Sequence, residues 1–217
     1  AYLKFYHPKE YFAALLTSIT GNSDKVAIYL REAKNMGTSI LGPNVNRSRG
    51  NFTVEGDSIR FGLMAIKGVG SATVEATIKA RERGGNFKDL NDYLKRLVEI
   101  DSGAINKKSI EGLIKSGAMD DFNIHRSQLM FDMEAEIESV QKNRRVNISG
   151  QVNMFDSFEF TDTIKDQIAE YRKPQLLAYE KDFLGVYLTD HPFSPYEDIF
   201  SPYVNFSMDL LLNEENP

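Results

Sequence analysis

The sequence predicts a mainly α protein: a small helical bundle joined to a pair of helical hairpins, with one short β-hairpin. Three observations carry this. Apolar residues recur at helical spacing through most segments. Glycine and proline punctuate those segments at intervals that suit short, packed helices. One stretch alone, NFTVEGDSIRFG, offers two β-prone runs, placed on either side of Glu55-Gly56-Asp57. At 217 residues and 41% hydrophobic, the chain can bury a real core as one large domain or two small ones.

The elements follow in order. HPKEYFAALLTSI opens a helix with Pro8 in its first turn, and NSDKVAIYLREAKNMG forms a second, with Ser23 as its cap and Gly37 as its end. Gly42 and Pro43 punctuate 40–48, and the hairpin about Gly56 comes next. From Phe61 the pattern is helical again: FGLMAI, the KGVG turn, SATVEATIKARERGG with its Gly84-Gly85 stop, FKDLNDYLKRLV, NKKSIEGLIKS and GAMDD. A long amphipathic helix over 125–142 carries Leu129, Met133, Ile137 and Val140 on one stripe. The basic and polar QKNRRVNISG and a low-pattern stretch to Thr163 follow, then a helix from about Asp166 to Leu184 and a proline-punctuated tail.

Composition excludes several functions. No run approaches the roughly 18 apolar residues of a membrane span, and no basic-then-apolar leader opens the chain, so a cytoplasmic protein without a membrane partner is expected. Absence of cysteine removes disulfides and thiolate metal sites, and three scattered histidines, His7, His125 and His191, make a poor zinc set. Paired Asp120-Asp121 reads as a helix-start cap rather than a metal pair, and no metal-binding carboxylate cluster of the kind phosphoryl-transfer enzymes use is evident. The net charge of −5 hides a division: residues 60–115 carry +4 and the remainder −9. Charge alone leaves nucleic acid open.

The tightest local signal is AIKGVGSATVEA, where a short helix meets hydrophobic-Gly-x-Gly and a second helix begins at Ser71. Gly68 and Gly70 let the backbone turn sharply around Val69, and the free amides that open the next helix favour an anion such as a DNA phosphate, with Lys67 adding charge. The same turn also serves as a plain joint between bundle helices. SIEGLIKSGAMDDF repeats the plan with one glycine fewer: Ser116 and Gly117 stand at the turn, Lys107, Lys108 and Lys115 lie beside it, and the Ser116 hydroxyl could meet a phosphate. Those lysines are equally consistent with a solvated helix face. GQVNMFD raises a different question, because Met154 and Phe155 form an isolated apolar pair after Gln151. Either they tuck against the 125–142 helix, or they enter a pocket on a partner.

Taken together these pieces resemble the α subunit of bacterial DNA polymerase III, of the DnaE type, through nearly the whole chain. AYLKFYHPKEYFAALLTS is similar to the end of that family's fingers region, and LGPNVNRSRGNFTVEGDSIRFGLMAIKGVG to the entry into its tandem helix-hairpin-helix module. NKKSIEGLIKSGAMDDF resembles the second half of that module, and EKDFLGVYLTDHPFSPY the approach to its OB domain. The resemblance implies four parts: a fingers-like helical region over 1–48, the DNA-binding module over 49–145, a linker over 146–163, and a helical segment over 164–217. It implies double-stranded DNA as partner, held through Lys67, Gly68, Val69, Gly70, Ser71, Lys107, Lys108, Ser116 and Gly117. It also matches Gln151, Met154 and Phe155 to the family's Q-x-x-[LM]-F peptide for the β sliding clamp, with Asp156 flanking the cleft. The palm aspartates and their magnesium belong to the parent polymerase, as do contacts with other replisome subunits. The chain itself is expected to bind without cofactor and to be catalytically inactive. An interaction module whose hairpins are purely structural is the competing reading.

Overall fold

The structure, a computed structural model, describes residues 2–148 and 168–200. Two short helices, α1 (Tyr2–Tyr6) and α2 (Pro8–Ser18), lead into α3 (Ser23–Asn35). Pro8 sits in the first turn of α2, where its missing N–H costs nothing. Phe12 and Leu16 of α2 and Val26, Leu30 and Ala33 of α3 are buried. The cap of α3 is Asn22, not Ser23: the Asn22 side chain accepts from Lys25 N at 3.0 Å, and Ser23 is the first helical residue. An amide side chain makes that bond as readily as a hydroxyl, so spacing could not separate the neighbours. Gly37 closes the helix with φ +80°, its N–H bonding Lys34 O while Thr38 N reaches Ala33 O.

The hairpin forms as expected, β2 (Thr53–Glu55) running antiparallel to β3 (Ser58–Arg60) about Gly56, whose φ is +61°. A further strand, β1 (Ser39–Leu41), pairs parallel to β3 with Ile40 opposite Ile59, giving the order β1-β3-β2. Arg60 locks the sheet, its guanidinium bridging both Glu55 oxygens and donating to Gly42 O. That ion pair holds the Glu55 carboxyl below its ordinary range.

FGLMAI does not make an α-helix. Its backbone is already committed: Phe61 N bonds Leu41 O, Leu63 N bonds Arg49 O and Met64 N bonds Gly50 O, leaving one 3₁₀ turn at Leu63–Ala65. Gly62 makes this crossing possible, since a Cβ there would lie 2.4 Å from the backbone carbon of Asn51.

Four helices build the main core: α4 (Ser71–Gly84), α5 (Leu90–Ile100), α6 (Lys107–Lys115) and α7 (Arg126–Ile148). Val74, Tyr93, Leu94, Leu97, Ile110, Leu113, Leu129, Met133 and Val140 are all buried there. The stripe read along the long helix is thus its packed face, with Ile137 partly buried against the same core. Tyr93 hydroxyl meets Thr77 Oγ1 at 2.8 Å inside that core, which satisfies two groups that burial would otherwise penalise. α7 runs six residues beyond the expected end at Lys142, because QKNRRVNI holds no glycine or proline to stop it.

GAMDD supplies a 3₁₀ turn, Asp120–Phe122, and Asp120 is not a cap. Its carboxylate instead takes both Nε and Nη2 of the buried Arg126, at 2.8 and 2.6 Å. Where the chain is again described, 168–171 lies along the start of α7: Glu170 accepts from Arg126 N and Ser127 N, and Gln128 Oε1 accepts from Ile168 N. Those bonds keep 168–172 out of helix, so α8 spans Lys173–Leu184 rather than starting near Asp166. A last helix, α9 (Ser194–Phe200), ends the described residues. Within them no helix is long and apolar enough to cross a membrane.

Candidate nucleic-acid interface

The first glycine turn links the 3₁₀ turn at Leu63–Ala65 to α4. Val69 N bonds Ile66 O, and Gly68 takes φ +85°, a conformation that costs an L side chain about 1–2 kcal/mol. Gly70 is different. Its φ of −80° and ψ of 151° suit any residue, and a Cβ built there meets nothing closer than Ser109 Oγ at 3.7 Å. Nothing inside the described fold demands a glycine at that position.

α4 begins without protection. Gly70 offers no side-chain cap, no acid stands in the first turn, and the exposed Ser71 and Ala72 have no backbone N–H acceptor among the described residues. Uncompensated amides at a helix start attract an anion, through their own donors and the helix dipole. Lys67 and Lys108 flank the turn, both exposed and without an ion pair among the described residues. The Lys108 stem lies over Gly68, its Cε 3.4 Å from where a Cβ would sit.

What holds the turn in place comes from two distant segments. Ser109 Oγ accepts from Gly70 N at 3.1 Å and lies 3.3 Å from Gly68 O. Gly112, one turn further along α6, lets that helix press against the hairpin, since a Cβ there would meet Lys67 O and Val69 Cγ2 at 3.2 Å. From the other side Lys67 N donates to Phe183 O of α8 at 2.9 Å. Ser109 and Phe183 were not among the expected residues. The small, buried Ser109 and Gly112 at i, i+3 are the sequence signal that points to a close helix contact.

The second turn is built otherwise. Gly117 adopts φ +81°, but the Arg126 guanidinium fills the space beside it, 2.3 Å from a built Cβ. Ser116 is buried and donates to Leu113 O, so its hydroxyl faces the helix and not solvent, contrary to the expected phosphate contact. Ala118 O is taken by Val45 N. Lys107 pairs with Glu134 of α7, and Lys115 with Glu111 at 2.6 Å. The structure therefore gathers Lys67, Gly68, Val69, Gly70, Ser71 and Lys108 at one place and leaves Ser116 and Gly117 apart. Gln151, Met154, Phe155 and Asp156 lie outside the described residues.

Among the described residues no group of three or more His, Asp or Glu side chains is placed to hold a metal ion.

Residues 37–129, which hold this glycine turn and the uncapped start of α4, match the family described as "Helix-hairpin-helix motif", so the chain carries a helix-hairpin-helix domain. The chain is similar to DNA polymerase III subunit alpha of Saccharopolyspora erythraea (37% identity over 99% of this chain) and of Thermus aquaticus (40% over 88%). It is likewise similar to that of Borreliella burgdorferi, at 34% identity over 100% of this chain. The chain belongs to the DNA polymerase III subunit alpha family. It spans 18%, 15% and 19% of the lengths of those three relatives, less than a fifth of each.

Proposed function

We propose that this chain is the part of a bacterial replicative polymerase that holds double-stranded DNA by its phosphate backbone and tethers the enzyme to a ring-shaped sliding clamp. Template-directed nucleotidyl transfer belongs, on this reading, to the parent polymerase in the cytoplasm, and this chain contributes grip and processivity without catalysis. The observation that carries the DNA contact is the first turn: two lysines without an ion pair among the described residues and the open start of α4 converge beside a glycine, Gly70, that the described fold does not require. A phosphate oxygen accepting from the Ser71 and Ala72 amides uses backbone alone, so the contact reads no base. The second turn, filled by Arg126, acts as a brace for α6.

Clamp docking rests on Gln151, Met154 and Phe155 and on the family resemblance. Chain length supports it. Ile148 ends α7 and Ile168 lies beside its start, about 33 Å apart along the helix. Twenty residue steps between them reach about 66–72 Å, about twice that distance, ample for a peptide to extend to a partner.

Duplex titration tests the first contact. Affinity falls steeply with salt, and Lys67→Glu and Lys108→Glu each weaken it for every sequence alike; unchanged affinity in both variants refutes the DNA contact and leaves the interaction-module reading. Binding to purified clamp tests the second. Loss on changing both Met154 and Phe155 to alanine, with helix content kept, supports docking, whereas loss of folding assigns the pair to the core.

A further inference from the structure

A second basic feature lies away from the glycine turn, between α3 and the loop that follows α8. It is a cleft of about 180 Å³. Leu30 and Val186 supply its apolar floor, Tyr187 an aromatic wall, and Arg31, Lys34, Lys181 and His191 its rim. No acidic residue lines it. Of the carboxylates beside these residues in sequence, Asp190 pairs with Lys173, Glu32 with Lys4, and buried Glu180 accepts from Leu188 N and Thr189 N, while exposed Asp182 lines a separate cavity with Lys67 and Gly68.

The cations are held in place rather than merely exposed. Lys34 Nζ donates to Tyr187 O at 3.3 Å and Lys181 Nζ to Gly185 O at 2.9 Å, so each ammonium is fixed at the rim with donors to spare. Lys181 also sits 5.8 Å from the centre of the Tyr187 ring. His191 Nδ1 accepts from Phe193 N, and its ring meets Tyr187 edge-on. Arg31 has no hydrogen bond or ion pair with the described residues. Cations gathered without a counter-charge repel one another, and an anion relieves that repulsion.

We infer that this cleft binds one nucleotide unit of an unpaired DNA strand, its phosphate on Arg31, Lys34 and Lys181 and its base against Tyr187. The size decides against a whole cofactor, because pockets for such ligands run from about 300 to 1,000 Å³. A duplex keeps its base faces stacked inside; an unpaired strand brings both phosphate and base face to a surface, and an aromatic ring among cations is what it stacks on. The inference rests on the reading that this chain works on DNA, yet it concerns a different surface and a different form of the nucleic acid.

The test uses the 217-residue chain with labelled oligothymidylate and a labelled duplex as separate probes. Arg31→Ser removes a side chain that the described fold does not use, and should lower the salt slope for the single strand by about 0.7. Tyr187→Leu keeps the apolar bulk and should cost the single strand about five-fold or more in affinity. Both should leave duplex affinity unchanged, and Lys67→Glu should do the reverse. Equal losses on both probes, or single-strand binding unchanged in both variants, overturn the cleft. Duplex binding unaffected by Lys67→Glu counts against the glycine turn alone and leaves the cleft result standing.

Discussion

Replacing Gly70 by alanine separates the two reasons a glycine can stand in the DNA-facing turn. The methyl group finds 3.7 Å to Ser109 Oγ and an ordinary backbone conformation, so the folded state accepts it. The unfolded chain loses freedom, which stabilises the protein by about 0.4–1 kcal/mol. In a chain of this size that raises the melting temperature by about 1–4 °C. A phosphate drawn to the Ser71 and Ala72 amides must approach to about 2.9 Å, and the new methyl stands at the mouth of that approach. Duplex affinity should therefore fall while stability rises. Gly68→Ala is the control, because φ +85° charges any side chain about 1–2 kcal/mol and lowers the melting temperature by about 2–8 °C. Circular dichroism melts and fluorescence anisotropy on a duplex read both quantities. A Gly70→Ala protein that melts below the parent shows that the fold needs the glycine. One that melts higher and binds duplex unchanged shows that Gly70 does not face DNA.

Gly62→Ala should be among the most damaging glycine changes, about 2 kcal/mol or more, because the atoms 2.4–2.7 Å from its Cβ are backbone and cannot swing away; denaturant midpoints measure it. Asp120→Asn leaves the Arg126 guanidinium, buried beside Gly117, without its charged partner, and should cost about 2 kcal/mol in the same measurement, whereas removing the solvent-screened surface pair Lys107–Glu134 should leave the midpoint nearly unchanged. The Glu55 carboxyl is held below its ordinary value of 4.5 by Arg60, so its stabilisation is complete above that pH and is lost as pH falls through the lowered value; the gap in melting temperature between the parent and Glu55→Gln should close on acidification below about pH 4.5, and a gap independent of pH refutes the assignment. Phe183→Ala thins the packing beside Gly112 and loosens the segment whose carbonyl bonds Lys67 N, and should weaken duplex binding beyond its effect on melting.

How much was legible follows from the range of each interaction. Local chemistry announced itself: Pro8 opening α2, Gly37 and Gly85 closing α3 and α4, the Gly56 turn of the hairpin, and the apolar stripe of α7 all depend on residues within a turn or two of each other. The glycine turn at 68–70 and the order of the segments were enough to place the chain in its family. Non-local pairing was not legible. β1 exists because Leu41 O and Ile40 find β3 across the loop, FGLMAI fails as a helix because Arg49 and Gly50 take its amides, and Asp120 turns from cap to ion pair because Arg126 lies within reach.

The same division runs through the candidate sites. By itself the sequence determined which backbone could turn at Gly68 and which residues could carry charge beside it, since those are properties of single side chains. Only the tertiary structure decided that Lys108, some forty residues away, joins Lys67 over that turn, that Arg126 fills the second turn instead, and that Arg31 and Tyr187 share a cleft. Packing makes those decisions, because a charge acts on what lies within a few ångströms of it and chain distance says nothing about that.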